Sequence, residues 1–443
     1  MPTVRFQDFL HKTRPEDIPQ DIHAFSKRCI LDLVGVMVAG SETRLTDLIS
    51  HHAVEHFAAG SKSASILFDG RNVSPAGAAL ANGMMIDSID AHDGFRPAKG
   101  HIGCHVLPTL FSIFEAEGKT SGEEFLTCIA IGYEIGARCA LALHGSVPDY
   151  HTSGAWGAVT SAALCSRILA VDETTTRHAI GIGEYHGPRS QMMRCIDHPT
   201  MLKDGSGWGA MAGVSASYLA ASGFTGAPAI TVEAEEVSHH WGDLGSRWTI
   251  LEQYFKPYPV CRWAQPATEA SLTLTKQHGF THEQIAEIVV HTFHEASRLA
   301  TVHPASTEEA QYSLPFPVGA ALVFGKVGPN EVSGDALTDE RVLRLAENTV
   351  LKEFQPYNDA FPAERFAHVE ITLKDGNTFE SECHPARGDY ENPLSDSEIE
   401  EKYYGLASPV IGKARAETIL KTVENLGPDT GFDALLAVLK PPA

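Results

Sequence analysis

Apolar residues recur at intervals of three and four through successive segments of the first half of the chain, the spacing of helices with one buried face. Ile22, Phe25, Ile30, Leu33, Val34 and Met37 predict a helix over 21–40, ended by Gly40. Another is expected over 44–58. Ser74 can cap a third, with Pro75 in its first turn and Ala78, Ala79, Leu80, Ala81, Met84 and Met85 behind it. Ser121 and Glu124 form a capping box ahead of a helix over 125–143, whose Ala, Gly and Ile content suits a central position. Helices over 153–169 and 174–185 continue the series. Gly205, Gly209, Gly213, Ser217 and Ala221 fall four apart, a flat ridge read here as the face of a tightly packed core helix rather than a membrane contact.

After about residue 265 alternation appears. Strands are expected over 285–293, 366–373 and 377–383, the last two as a hairpin across Asp375-Gly376. Helices over 264–278, 316–325 and 338–349 lie among them, and from Ser395 the pattern returns to helix. The expected fold is mainly α: a large all-helical domain built from both ends of the chain (1–265 and 396–443), with a smaller α+β domain inserted (266–395).

A chain of 443 residues is long for one core, which agrees with two domains. The net charge of -22 argues against nucleic acid and anionic membrane surfaces as partners. If the ligand is an anion, each inward-facing Lys or Arg becomes informative. Eight cysteines without CxxC spacing read as buried free thiols in a reducing compartment, and residues 1–21 lack the apolar core of a secretion signal, so a cytoplasmic location is expected. Residues 208–224 are uncharged but too short and too broken by Gly and Ser to span a membrane.

The densest chemistry lies in residues 84–106, where Asp87, Asp90, Asp93, His92, His101, His105, Arg96 and Lys99 crowd between two apolar segments. Acids at the C-terminal end of a helix break a local electrostatic rule, as functional sites often do. The loop over 94–103 is read as aiming Arg96, Lys99 and His101 inward. Asp87, Asp90, His92 and Asp93 could in principle hold Mg²⁺ or Zn²⁺, but His92 falls off the face shared by Asp87 and Asp90, so no metal site is assigned. No P-loop, strand-linked GxGxxG or GxSxG elbow occurs.

Several blocks resemble the MmgE/PrpD family in family order: KRCILDLVGVMVAG (27–40), ALANGMMIDSIDAHD (79–93), GYEIGAR (132–138), GFTGAP (223–228), FKPYPVCRW (255–263) and NPLSDSEIEEKY (392–403). The resemblance implies a helical domain carrying both termini, a smaller α+β domain, a homodimer and cofactor-free chemistry. The family's acidic motif falls on Asp90 to Asp93, its histidines on His101 and His151, and its lysines on Lys203 and Lys256. Relatives have a run like DYDDTH where this chain has Asp90-Ala91-His92-Asp93-Gly94-Phe95. A frequent histidine is Gln265 here, and a tyrosine proposed as proton donor in relatives is Phe316.

The family's reactions share one difficulty, a proton on carbon next to a carboxylate, which calls for a base and for cations around the enediolate. Lys203 and His101 are the expected proton-transfer residues, with Asp93 and His151 orienting them or sharing the role. Lys203 has the burial a basic lysine needs at the start of the glycine-ridged helix; its alternative is a surface ammonium paired with Asp204. For His101 and His151 the alternative is a hydrogen-bonded structural histidine, and for Asp93 a solvated turn. Arg96, Lys99, Arg194, Lys256, Arg262 and Asp90 are the expected substrate-binding residues, around a small anionic polycarboxylate. With basic residues kept and both the tyrosine and the motif's second acid absent, the expected reaction is epimerisation of an aminopolycarboxylate such as iminodisuccinate. The rivals are a 2-methylcitrate dehydratase-like hydro-lyase, a decarboxylase of a tricarboxylic acid, and a non-catalytic carboxylate-binding protein.

Overall fold

Small residues at helix crossings set the first half of the architecture. In the computed structural model, which describes residues 4–442, the helices that matter for the site are α1 (Gln20–Gly40), α2 (Pro75–Asp87), α3 (Gly103–Ala116), α4 (Gly122–Ser146), α5 (Gly154–Ile168), α6 (Glu173–His186) and α7 (Ser206–Ala221). Ser74 caps α2, accepting from the Gly77 N–H at 3.2 Å. Ser121 likewise caps α4, but Glu124 closes no box; it accepts from Arg167 at 2.8 Å instead, an ion pair outweighing the local turn. Helix α4 is long and apolar enough to cross a membrane, yet 94% of its most apolar stretch is buried inside the protein.

The ridge of α7 packs on α5, as the spacing of its small residues requires. Ser217 Oγ donates to the Ala162 carbonyl at 3.0 Å. A Cβ on Gly213 would stand 2.5 Å from the Ala158 carbonyl oxygen, closer than any side chain tolerates. Gly213→Ala is therefore expected to force the two helices apart and destabilise the protein by about 1–3 kcal/mol, the usual range for overpacking. Urea unfolding measures this, and a variant as stable as the parent would contradict it.

The second half adds α8 (Gln265–His278), β1 (Ile285–Thr292), α9 (Pro315–Phe324), α10 (Glu340–Glu347), β2 (Thr349–Glu353), β3 (Phe366–Leu373), β4 (Thr378–Glu380) and β5 (His384–Pro385). The sheet runs β2-β1-β3-β4, with β5 also on β3; β1 is parallel to β2 and antiparallel to β3. Val290 faces Val369 and Ile288 faces Ile371, all buried, while alternate residues of β3 are half-exposed. The hairpin turn is the one expected, with Gly376 at φ +90°. Strand β2 was not expected, because its outward Val350, Lys352 and Glu353 give no alternation.

Helices α11 (Asp396–Ile411) and α12 (Lys413–Asn425) close the fold. Here the capping box is complete: Ser395 Oγ accepts from the Glu398 N–H, and Glu398 accepts from the Ser395 N–H at 2.8 Å. Apolar residues from 394 to 439 share one core with the N-terminal helices. A second core spans the sheet and its helices and takes in Met192, Cys195, Ile196, Val260 and Cys261.

Candidate active site

Helix α2 ends at Asp87, and the chain then turns through 88–93 into a short antiparallel pairing of Gly94–Phe95 with Gln253–Tyr254. That pairing, which sequence gave no sign of, sets the 96–102 loop against the segment carrying Lys256. The turn is tied from the far end of the chain, since Lys402 on α11 reaches Asp32 at 2.5 Å and the Ala91 carbonyl at 2.6 Å.

His101 is held on two sides. Its Nδ1 lies 2.6 Å from the Asp93 carbonyl, and its main-chain N–H donates to Ser153 Oγ at 2.8 Å. A carbonyl only accepts, so the proton sits on Nδ1 and Nε2 carries the lone pair. Burial first, then Lys256 and His92, hold the imidazole well below its ordinary pKa, so it is neutral at neutral pH.

Asp90 is ion-paired with Lys256, and its N–H donates to Gln311 Oε1 at 2.8 Å. The same oxygen accepts from Lys203 Nζ at 2.7 Å, which stands 4.9 Å above the Tyr312 ring. Burial opposes ionisation of Asp90, but Lys256, then Lys203, His92 and His101, outweigh it and hold the carboxyl below the usual range. Lys203 is buried and does not pair with Asp204, whose carboxylate accepts from the Ser153 N–H at 3.1 Å. Burial and then Asp87 push Asp204 up.

Asp90, Lys99, His101, Lys256, Arg262 and Arg365 line one narrow cleft, together with Tyr150, Tyr254 and Tyr312 and a floor of Met192, Ile196, Cys261 and Trp263. The enclosed space is about 30 Å³. Arg262 pairs with Asp389 at 3.0 Å and donates to the Ala386 and Arg387 carbonyls. Lys99 lies 4.8 Å over the Tyr150 ring, and its carbonyl accepts from the Tyr150 hydroxyl. Lys99 and Lys203 both hold left-handed backbone, at φ +55° and +49°, a strain that non-glycine residues keep mainly where the surroundings enforce it.

Arg365, just before β3, escaped the sequence reading because Glu364-Arg365 looks like a polar turn. It is 4% exposed, and its Nε and Nη1 have no hydrogen-bond partner among the described residues. Burial lowers its pKa.

Other expected residues lie elsewhere. The Asp93 side chain turns away from the cleft to accept from the Tyr133 hydroxyl; burial, then Asp32, raise it to about 7. Only its carbonyl meets His101. The His151 ring is held by the Asp149 carbonyl at 2.9 Å, and the residue sits between Tyr150 of the cleft and Thr152 of a neighbouring hollow without lining either. Arg96 is paired with Glu391, with Glu364 at 3.4 Å and with Asp389 at 3.6 Å, so it ties the loop to the smaller unit and does not line the cleft. Exposed Arg194 and the stem of Lys203 line the hollow of about 320 Å³. Gln265, where relatives carry histidine, donates to the Tyr258 and Val260 carbonyls at 3.0 Å. Phe316, which lacks the hydroxyl of the relatives' tyrosine, is buried in the second core and does not line the cleft, where three tyrosines stand.

Asp90, His92 and His101 offer ligand atoms within 4.8 Å of one another. The donor set suits a divalent cation poorly, since Lys256 is already bound to Asp90 and Lys203 stands beside it, two ammonium groups that would repel the ion.

A helical body whose core takes in the last helices, and a sheet-bearing unit whose Arg365 lines a cation-rich cleft, define a mainly α protein built in two parts. Residues 4–240 match the MmgE/PrpD N-terminal domain and residues 258–427 the MmgE/PrpD C-terminal domain, and the chain belongs to the MmgE/PrpD family. It is 26% identical to the cis-aconitate decarboxylase of Mus musculus, over 100% of this chain and 94% of the relative. It is 25% identical to that of Homo sapiens (100% and 95%) and 23% identical to the cis-aconitate decarboxylase-like protein oryM of Aspergillus oryzae (99% and 97%). These relatives are enzymes, and the chain stands with them as one.

Proposed function

We propose that the chain is a cofactor-independent lyase that removes one carboxylate, as CO₂, from a tricarboxylic acid of the cis-aconitate kind. The observation that carries this is the charge of the cleft, four cations against the single carboxylate of Asp90 around a neutral imidazole. End-to-end similarity to cis-aconitate decarboxylases supports the reaction class. The case for epimerisation leaned on a missing tyrosine, and Tyr312 beside Lys203 weakens it.

In this reading the cations seat the carboxylates and Asp90 keeps Lys256 in place. A trianion arriving beside the free Nε2 of His101 favours the imidazolium, which then has a proton to give. As the C–C bond breaks, CO₂ leaves and the electron pair moves through the double bond to the neighbouring carbon, where the surrounding ammonium and guanidinium groups stabilise it. His101 delivers its proton there, so the trianion plus one proton becomes CO₂ and a dianion.

Incubation of the enzyme with cis-aconitate in D₂O is the test. Release of CO₂ with one deuterium on carbon in the product is expected. A hydrated product without CO₂ would assign a hydro-lyase instead, and no reaction of cis-aconitate together with deuterium uptake and inversion at the α-carbon of iminodisuccinate would return the reaction to epimerisation.

A further inference from the structure

Of the four cations lining the cleft, Lys256 is neutralised by Asp90 and Arg262 by Asp389. Lys99 and Arg365 are not. Among the described residues, Arg365 donates only from Nη2, to the Arg96 carbonyl at 3.5 Å, and Lys99 has a ring and no carboxylate within ion-pair distance. The two are close enough that Arg365 lowers the pKa of Lys99, after burial has done so first. A half-buried ammonium in the same cleft as a buried guanidinium whose Nε and Nη1 lack partners is unfavourable unless an anion completes them. In a chain of net charge -22 that excess of positive charge is conspicuous.

We infer that Arg365 and Lys99 form a second carboxylate subsite, separate from the His101–Asp90–Lys256 end of the cleft, so that the smaller α+β unit selects di- and tricarboxylates over monocarboxylates. Nε and Nη1 lie on different edges of the planar guanidinium, and each shares its edge with Nη2, whose contact with the Arg96 carbonyl is long at 3.5 Å, so either edge can turn a two-pronged donor face to a carboxylate. Tyr150 fixes the other half by donating to the Lys99 carbonyl, which holds the strained backbone of that residue. The inference rests on the reading of the cleft as a polycarboxylate site, but it concerns recognition and not bond breaking.

The experiment uses propane-1,2,3-tricarboxylate, which has no double bond to react, and butanoate as the monocarboxylate control. Calorimetric titration should show the tricarboxylate binding Arg365→Gln at least about 30-fold more weakly than the parent, with Lys99→Met weakened in the same direction and butanoate weak for all three. Thermal melting supplies the readout a structural arginine would not give: without ligand Arg365→Gln should melt no lower than the parent, while the rise induced by tricarboxylate is lost. Unchanged affinity in both variants, or a lower melting temperature with the ligand-induced rise intact, would overturn the inference. Binding of the acid by a parent enzyme that releases no CO₂ from cis-aconitate would sink the proposed reaction alone and leave the subsite standing.

Discussion

Replacing His101 with glutamine is expected to lower kcat by about 10²–10⁴-fold, the usual contribution of a positioned proton-transfer group. Glutamine can still donate an amide N–H to the Asp93 carbonyl in place of Nδ1, so the fold and the neighbouring ion pairs should survive. Steady-state turnover of cis-aconitate, with circular dichroism as the check on folding, measures it. The neutral state of the ring is what makes the expectation specific. A protonated histidine locked against Asp90 would serve as a structural cation, whereas an imidazole kept neutral by burial, Lys256 and His92 has a lone pair free for chemistry. A glutamine variant that turns over at the parent rate would remove His101 from the reaction.

Lys256→Met should have the largest effect on stability, about 3–5 kcal/mol, because it leaves Asp90 ionised and buried with its main partner gone. Lys203 and Gln311 remain nearby but do not replace the contact. The pH dependence follows from sign. Asp90 is held below its ordinary pKa in the folded protein, so its contribution is present above the unfolded carboxylate value near about 4 and is lost as pH falls through the lower folded value. Without Lys256 that depression shrinks, so the variant loses less stability through Asp90 on acidification, and the gap between it and the parent should narrow as pH falls through the carboxylate range. Urea titrations from neutral pH down to the carboxylate range check both parts, and equal stability at every pH would show that the pair carries no net weight.

Helical periodicity revealed most of the fold because each helix buries a stripe, and a stripe is visible in sequence. The α7 ridge was legible for the same reason: glycines four apart have few uses other than close helix contact. Strand β2 was hidden since its exposed face is charged and its buried neighbours lie on another strand. In the site, Asp90, Lys99 and His101 stood out by residue type and density, Lys256 by the family resemblance and Arg262 by the basic run they share, and the structure brings the five to one cleft. What one dimension could not supply was direction. Asp93 shares a turn with Asp90, yet its carboxyl points to Tyr133 while its carbonyl does the work at His101. Adjacent charges invited a Lys203–Asp204 pair, but the tight turn before α7, with Lys203 at φ +49°, sends one to Gln311 and the other to Ser153. Arg365 carried no local signal at all, because its importance comes from being buried without a partner.

The reach of Lys402 back to Asp32 and the Ala91 carbonyl, across 370 and 311 residues, also orders events in time. On the ribosome, the turn bearing Asp90 and the Asp93 carbonyl is translated well before the lysine that anchors it. A nascent polypeptide interrupted before α11 holds Asp32 without its counter-charge, so the turn is secured only once α11 has been made.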